Sequence, residues 1–235
     1  MTSADRLPVH VSLIMDGNGR WASRQGKERI YGHYEGVGSV RAVMETSVEL
    51  GIRYVSFFAF SEENWDRPSE EVSGLMELMG KAMEKELPTF LKYGVRFRVL
   101  GNRERLSPEL VSTIDRIEQA TLGGEKMTMI LFLSYSGRWD ILQASRRMAH
   151  DLIENPTVHV GAADFDKYLV TAGIPDPDLM IRTSGEKRIS NYLLWQAAYT
   201  ELVFSDVLWP DFRREEYIAA LEEYSRRDRR FGKVK

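Results

Sequence analysis

The 235-residue sequence contains no cysteine. That excludes a disulfide framework, a thiolate zinc site, an iron–sulfur cluster and a cysteine nucleophile, and it suits a reducing, cytoplasmic setting. Charge of one sign is lacking too: 32 Lys and Arg stand against 35 Asp and Glu, a formal net charge of −3. No basic field covers the whole chain, so nucleic acid is not an expected partner. Long hydrophobic runs are missing. The longest charge-free apolar stretch lies between Lys126 and Arg138, well short of the roughly 20 residues a helix needs to cross a bilayer, so no transmembrane segment is expected. Met1 to His10, with Asp5, Arg6 and Pro8, has no apolar core of a secretory signal. The histidines His10, His33, His150 and His159 show no zinc-ligand spacing. P-loop, dinucleotide-fingerprint and nucleophile-elbow motifs are all absent. With no repeat, low-complexity segment or Pro/Ser-rich linker, residues 1–235 are expected to form a single domain.

What is present alternates. Short β-branched and aromatic runs at Val11–Met15, Tyr54–Phe60, Val95–Leu100, Met127–Leu133 and Leu179–Arg182, with a weaker one at Leu202–Phe204, read as strands. Most are nearly all apolar, as strands buried on both faces must be. Between and after them Tyr34–Leu50, Ser69–Tyr93, Pro108–Thr121, Asp140–Ile153, Phe165–Thr171 and Arg214–Arg227 read as helices. The expected class is α/β, a mostly parallel sheet flanked by helices. Gly51, Gly94 and Gly123 fall where helices should end. Ser69 is the expected cap of the second helix, with Glu70 and Glu71 in its first turn. Pro88 is expected to kink or end that helix, whose Val72, Leu75, Met76, Met79, Met83 and Leu87 form a core-facing stripe.

Three polar segments follow predicted strands, where open α/β sheets bind ligands. The first is Asp16-Gly17-Asn18-Gly19-Arg20-Trp21. Its glycines let backbone N–H groups approach a phosphate, Arg20 adds forked donors, and Asp16 suits Mg²⁺ bridging to phosphate oxygens; in isolation it also reads as a tight Asn-Gly turn. The second, Phe60 to Pro68, carries Ser61, Asn64, Trp65 and Arg67, and alone would pass for an ordinary polar loop. The third, Ile181 to Asn191, sets Arg182, Lys187, Arg188, Ser184 and Ser190 around Gly185. That composition suits a doubly charged phosphate ester better than a neutral ligand, a local Glu186–Arg188 pair being the plain alternative. Glu201 stands at the entrance to an apolar segment, where an unpaired carboxylate is costly. It needs a cation, either Mg²⁺ shared with Asp16 or a nearby arginine. The last ten residues, from Arg226, hold six basic residues against one acid: a solvated tail, or an arm at about 226–235 that reaches a phosphate through Arg230-Phe231-Gly232.

Taken together, these segments resemble the cis-prenyltransferase family. The resemblance covers nearly the whole chain, most strongly at His10–Trp21, Phe60–Pro68, Ser136-Gly137-Arg138-Trp139-Asp140, Arg182–Gln196 and Leu208-Trp209-Pro210-Asp211-Phe212. It implies a Mg²⁺-dependent homodimer that condenses an allylic diphosphate, usually farnesyl diphosphate, with successive isopentenyl diphosphates, the default product being undecaprenyl diphosphate for a cell-wall lipid carrier. By the same resemblance Asp16 is the essential carboxylate and metal ligand. Gly17, Asn18, Gly19, Arg20, Trp21, Arg29 and His33 surround the allylic diphosphate, and Ser61, Asn64, Trp65 and Arg67 line the reaction centre, with Asn64 catalytic. Arg182, Arg188 and Ser190 hold the isopentenyl diphosphate, Glu201 supports the metal, and Arg230 and Gly232 belong to a tail that reaches across the dimer. The Met-rich helix and the strand with Phe57, Phe58 and Phe60 are the expected tunnel walls, and product release implies peripheral membrane contact. Asn102, where the family commonly has Asp, and Ser134 to Arg138, where it has Asn-Tyr-Gly-Gly-Arg, depart from its pattern. The alternatives are a short-chain cis-prenyl synthase and a non-catalytic partner subunit. An all-helical trans-prenyltransferase is disfavoured by the alternating pattern and the lack of a paired-aspartate motif.

Overall fold

The computed structural model of the protein describes residues 7–157 and 161–227. Six strands, β1 (His10–Ile14), β2 (Tyr54–Ser61), β3 (Val95–Leu100), β4 (Met127–Tyr135), β5 (Leu179–Arg182) and β6 (Glu201–Phe204), form one sheet in the order β3-β4-β2-β1-β5-β6. Every pairing is parallel. The apolar runs become strands because both faces are covered. Along β4, Met127, Met129, Leu131 and Leu133 point into one core, while Ile130, Phe132 and Tyr135 point into the other.

The first core is closed by α2 (Arg29–Leu50), α3 (Ser69–Tyr93), α4 (Pro108–Ala120) and α7 (Arg214–Ser225), which contribute Val43, Leu75, Ile114 and Leu221 among others. The second lies under α5 (Gly137–Glu154) and the segment around Tyr192 and Leu193. Each large apolar side chain fully buried in this way contributes about 1.5–3 kcal/mol.

Several local expectations change. Asn18–Arg24, read as loop, forms a short helix, α1, and α2 begins at Arg29 rather than Tyr34. Ser69 is the first residue of α3 and does not cap it; Pro68 stands at the cap position. The helix continues through Pro88 to Tyr93, because the one lost N–H bond is offset by the packing of Met83, Glu86 and Phe90 around it. Gly51 and Gly94 do end helices in left-handed conformation, whereas α4 stops at Thr121 before reaching Gly123. The helix expected over Phe165–Thr171 is a short α6 (Ala162–Phe165) and a 3₁₀ turn ending at Tyr168.

A buried polar chain crosses the second face of the sheet. The Nδ1–H of His10 donates to the Pro175 carbonyl at 2.7 Å, leaving Nε2 to accept from Ser56 Oγ at 2.8 Å. Ser56 Oγ and Ser12 Oγ are 2.8 Å apart, and Ser12 Oγ and the Tyr192 hydroxyl oxygen are 2.9 Å apart. Burial lowers the pKa of His10 to about 4. Below pH 6.5 the unfolded chain therefore takes up a proton that the folded chain refuses until about pH 4, so stability falls as pH drops through that window. Integrated over it, His10 accounts for a loss of roughly 3 kcal/mol. Urea unfolding at pH 7 and pH 4.5 measures this, and His10→Gln should flatten the dependence.

Candidate active site

β2, β1 and β5 are neighbours, so the three polar segments that follow them meet at one edge. The chain leaves β1 toward β2 on one side and β5 toward β6 on the other. This opens a crevice at their carboxyl ends, where Ile14 pairs with Arg182. Asp16 stands at the crevice: its Oδ2 accepts from Arg182 Nη2 at 2.9 Å, and its Oδ1 lies 3.3 Å from Arg20 Nη2. Thr183 locks the backbone below, with the Asp16 N–H donating to Thr183 Oγ1 at 2.9 Å and the hydroxyl donating to the Asp16 carbonyl at 2.6 Å. Burial opposes ionisation of Asp16, but the hydrogen bond from Arg182 and the charges of Arg182 and Arg20 outweigh it and hold the carboxyl below its usual range.

Arg182 is 5% exposed. Its Nη1 donates to the Arg188 carbonyl and to Ser190 Oγ, the latter at 2.7 Å, while its Nε is buried without a partner. Ser184, Ser190, Asn191 and Leu193 all carry positive φ, between 44° and 75°. Such conformations cost of order 1 kcal/mol each and collect where a loop is held for a purpose. Asn191 ties this loop to the second one by donating to Glu63 Oε1 at 2.6 Å. Arg20 donates to Ser184 Oγ, and Glu186 contacts both Arg20 and Arg188, so the plain Glu186–Arg188 pair exists beside the cationic cluster.

Gly17, at φ 106°, turns the chain from Asp16 into α1, and a Cβ there would lie 2.9 Å from Leu208 Cδ2. At Gly32 a Cβ would fall 2.0 Å from the Asn18 carbonyl oxygen, so only glycine lets α2 press against α1. Arg29 passes over Gly19 toward Glu71, and Arg67 donates to Glu71 at 3.1 Å. His33 lies among them. Burial, then the charges of Arg67 and Arg29, lowers its pKa to about 4, so it is neutral at pH 7.

A cavity of about 480 Å³ opens from this edge and runs between the sheet and helices α2 and α3. Asp16, Asn18, His33, Ser61, Asn64, Arg67, Arg182, Arg188 and Ser190 line it at the mouth. Leu75, Met79 and Met83 of the Met-rich stripe line its wall, whereas Val72, Met76 and Leu87 do not. Shifts of register where β2 meets β4 bring the consecutive residues Phe58, Ala59 and Phe60 onto the same wall, while Phe57 packs on Trp209 instead.

Other expected residues make contacts of their own around this surface. Asn64 Oδ1 accepts from the Ser61 N–H at 3.1 Å, closing the turn it belongs to. Trp65 is not in the lining. It packs on Phe60, donates to Ser134 Oγ at 2.9 Å and lies under the Arg105 guanidinium. Trp21 stacks on Tyr31 and donates to Asp211 Oδ1 at 2.8 Å. Glu201 is a correction. It opens β6 at the opposite edge of the sheet, level with Val11 and so roughly 16 Å from Asp16 along the strand direction alone at about 3.3 Å per residue, and its cation is Arg227 Nη1, 2.9 Å away; within one chain the two carboxylates do not share a metal. Arg230 and Gly232 lie outside the described residues. Thr183 and Trp209, whose N–H donates to the Asp16 carbonyl at 3.0 Å, were not anticipated as supports. Only the Leu208–Phe212 motif pointed toward Trp209.

Residues 14–232 match the family model described as "Putative undecaprenyl diphosphate synthase". The isoprenyl transferase of Chlorobaculum tepidum is 49% identical, over 97% of this chain and 87% of that one. The ditrans,polycis-undecaprenyl-diphosphate synthase ((2E,6E)-farnesyl-diphosphate specific) of Legionella pneumophila is 43% identical over 97% of both chains. Among solved structures, lavandulyl diphosphate synthase from Lavandula x intermedia, in complex with dimethylallyl diphosphate, superposes with a TM-score of 0.94 at 32% identity, covering 97% of this chain and 100% of that one.

Gly32→Ala tests the close approach that shapes the mouth. Overpacking of this kind costs about 1–3 kcal/mol, so the variant should melt several degrees lower than the parent by circular dichroism, and an unchanged melting temperature would contradict the contact.

Proposed function

The chain belongs to the undecaprenyl diphosphate synthase family of prenyltransferases, and from that membership we propose the following reaction. It condenses isopentenyl diphosphate units in succession onto an allylic diphosphate, farnesyl diphosphate by preference, giving a long cis-polyprenyl diphosphate with undecaprenyl diphosphate as the default product. The observation that carries this reading is the join of a cationic mouth to an apolar cavity. A diphosphate needs the first and a growing hydrocarbon needs the second.

In this scheme the Gly17 to Arg20 turn, Arg29 and the neutral His33 receive the allylic diphosphate, and Arg182, Arg188 and Ser190 receive the isopentenyl diphosphate. The allylic C1–O bond breaks with its electron pair leaving on the diphosphate. The terminal double bond of isopentenyl diphosphate attacks C1, and the proton lost from its C2 passes to an oxygen of the departing diphosphate as the new double bond forms. Arg20, Arg29 and Arg67 meet the developing negative charge from fixed positions, which costs no reorganisation when the bond breaks. The Met79, Met83 and Phe60 wall keeps water from the reactive carbon.

A hard divalent cation fits Asp16, an ionised carboxylate partly open at the cavity mouth and ringed by phosphate-binding groups. Mg²⁺ is the proposed cofactor, and when bound it offsets the charge of the leaving diphosphate. Ser61 and Asn64 shape the reaction centre, with Trp65 fixing Phe60 from behind. A homodimer in the cytoplasm, with the arm at 226–235 completing the partner's isopentenyl site through Arg230 and Gly232 and a peripheral membrane contact taking the product, completes the proposal. A short-chain product is the second reading, favoured by the likeness to lavandulyl diphosphate synthase.

The test incubates the protein with farnesyl diphosphate, labelled isopentenyl diphosphate and Mg²⁺, beside a chelated control, and resolves the products by length. Long labelled polyprenyl products only in the presence of metal are expected. A one-addition product selects the short-chain reading, and no incorporation by folded protein contradicts both. In the same assay Asp16→Asn should lower kcat at least about 100-fold. Arg188→Met should raise KM for isopentenyl diphosphate more than for farnesyl diphosphate.

A further inference from the structure

Away from the mouth the cavity lining is aliphatic, aromatic and thioether, with one charged interruption among the described residues: Arg41 on α2 and Glu86 on α3. The guanidinium grips the carboxylate with two prongs, Nε donating to Oε2 at 2.9 Å and Nη2 donating to Oε1. Arg41 lies about 12 Å along α2 from His33, and Glu86 about 22 Å along α3 from Glu71, at 1.5 Å per residue. The pair therefore stands deep in the cavity, far from the groups that hold diphosphate. Phe90, one turn past Glu86, stacks on Phe97 beside it.

The two partners differ in their surroundings. Glu86 is buried, with 6% exposed, whereas the Arg41 side chain keeps 43% of its surface open. A carboxylate buried this far must keep its cation, because removing one partner strands the other charge. A hydrocarbon advancing from the mouth gains free energy for every methylene laid against Val37, Val40, Met79 or Met83. Level with the pair that gain falls, although Phe90 and Phe97 also line the cavity, since a methylene there strips water from Arg41 and offers the charges nothing in return.

We propose that the Arg41–Glu86 pair is the polar stop of the tunnel and sets how many five-carbon units the product acquires. The inference rests on the prenyl-transfer reading and extends it to product length.

Three proteins test it: the parent, the apolar double variant Arg41→Met/Glu86→Leu, and the exchanged pair Arg41→Glu/Glu86→Arg. Each is incubated with farnesyl diphosphate, labelled isopentenyl diphosphate and Mg²⁺; the products are resolved by length and thermal unfolding is recorded. Removing both charges together leaves neither stranded, so the apolar variant is expected to fold. Its major product should lengthen by one or more five-carbon units, while the exchanged pair keeps the parent's length within one unit. A cooperatively folded apolar variant with parental or shorter products overturns the proposal. So does an exchanged pair that lengthens its products, a result that decides the matter even where the apolar variant does not fold. No incorporation by the parent removes the prenyl-transfer premise itself, whereas normal parental elongation with unmoved lengths in the variant rejects only the stop.

Discussion

An ionised carboxylate and a nearly buried guanidinium face each other across the gap between two adjacent strands, and the rest of the site is arranged to keep them there. Arg182 ends β5 opposite Ile14 of the neighbouring parallel strand, and Asp16 follows two residues later. Burying Arg182 would be prohibitive without Asp16, and Asp16 keeps its charge through Arg182. Thr183 pins the backbone beneath the carboxylate, Trp209 holds its carbonyl, and Ser190 and the Arg188 carbonyl take up the other arm of the guanidinium. The left-handed residues between Ser184 and Leu193 are the local strain this arrangement sustains. The Arg182 Nε, buried without a partner, and the exposed part of the Asp16 carboxylate are what this arrangement leaves unused.

The second constraint is the contrast between the two ends of one cavity. At the mouth, guanidinium groups outnumber carboxylates; beyond it, α2 and α3 lean thioether, branched and aromatic side chains against the sheet. Low polarity beside fixed charge strengthens each electrostatic contact at the mouth. It also gives an elongating hydrocarbon somewhere to go other than water. Arg41 and Glu86 break the contrast deep inside, which turns an open-ended apolar channel into one with a defined depth.

Much of this was legible in the residues, for physical reasons. Five strands stood out, and the sixth at Leu202–Phe204 more weakly, because strands covered on both faces must be nearly all apolar, and the three polar segments stood out because each follows such a run at once. Short-range signals that compete with tertiary packing misled. The glycines of Asp16 to Trp21 hid α1, which exists because Gly17 and Gly32 let it dock on α2. Pro88 suggested a break that the packing of α3 overrides. The Met-rich stripe could not be divided between core and cavity, since both want the same side chains; Met79 and Met83 line the cavity and Met76 does not. Glu201 asked for a cation, and periodicity could not say that strand polarity places it at the far edge, beside Arg227. The Arg41–Glu86 pair joins two helices whose sequences give no sign of facing charges.

The most direct test of the central claim is a double-mutant cycle on kcat/KM for the first condensation, using Asp16→Asn, Arg182→Met and the two combined. Groups that act as one unit are strongly non-additive. If the crevice pair organises the site, each single change removes most of the rate and the double variant is scarcely worse than the more damaging single one. Losses that simply multiply would show that the two side chains act independently and would contradict the account.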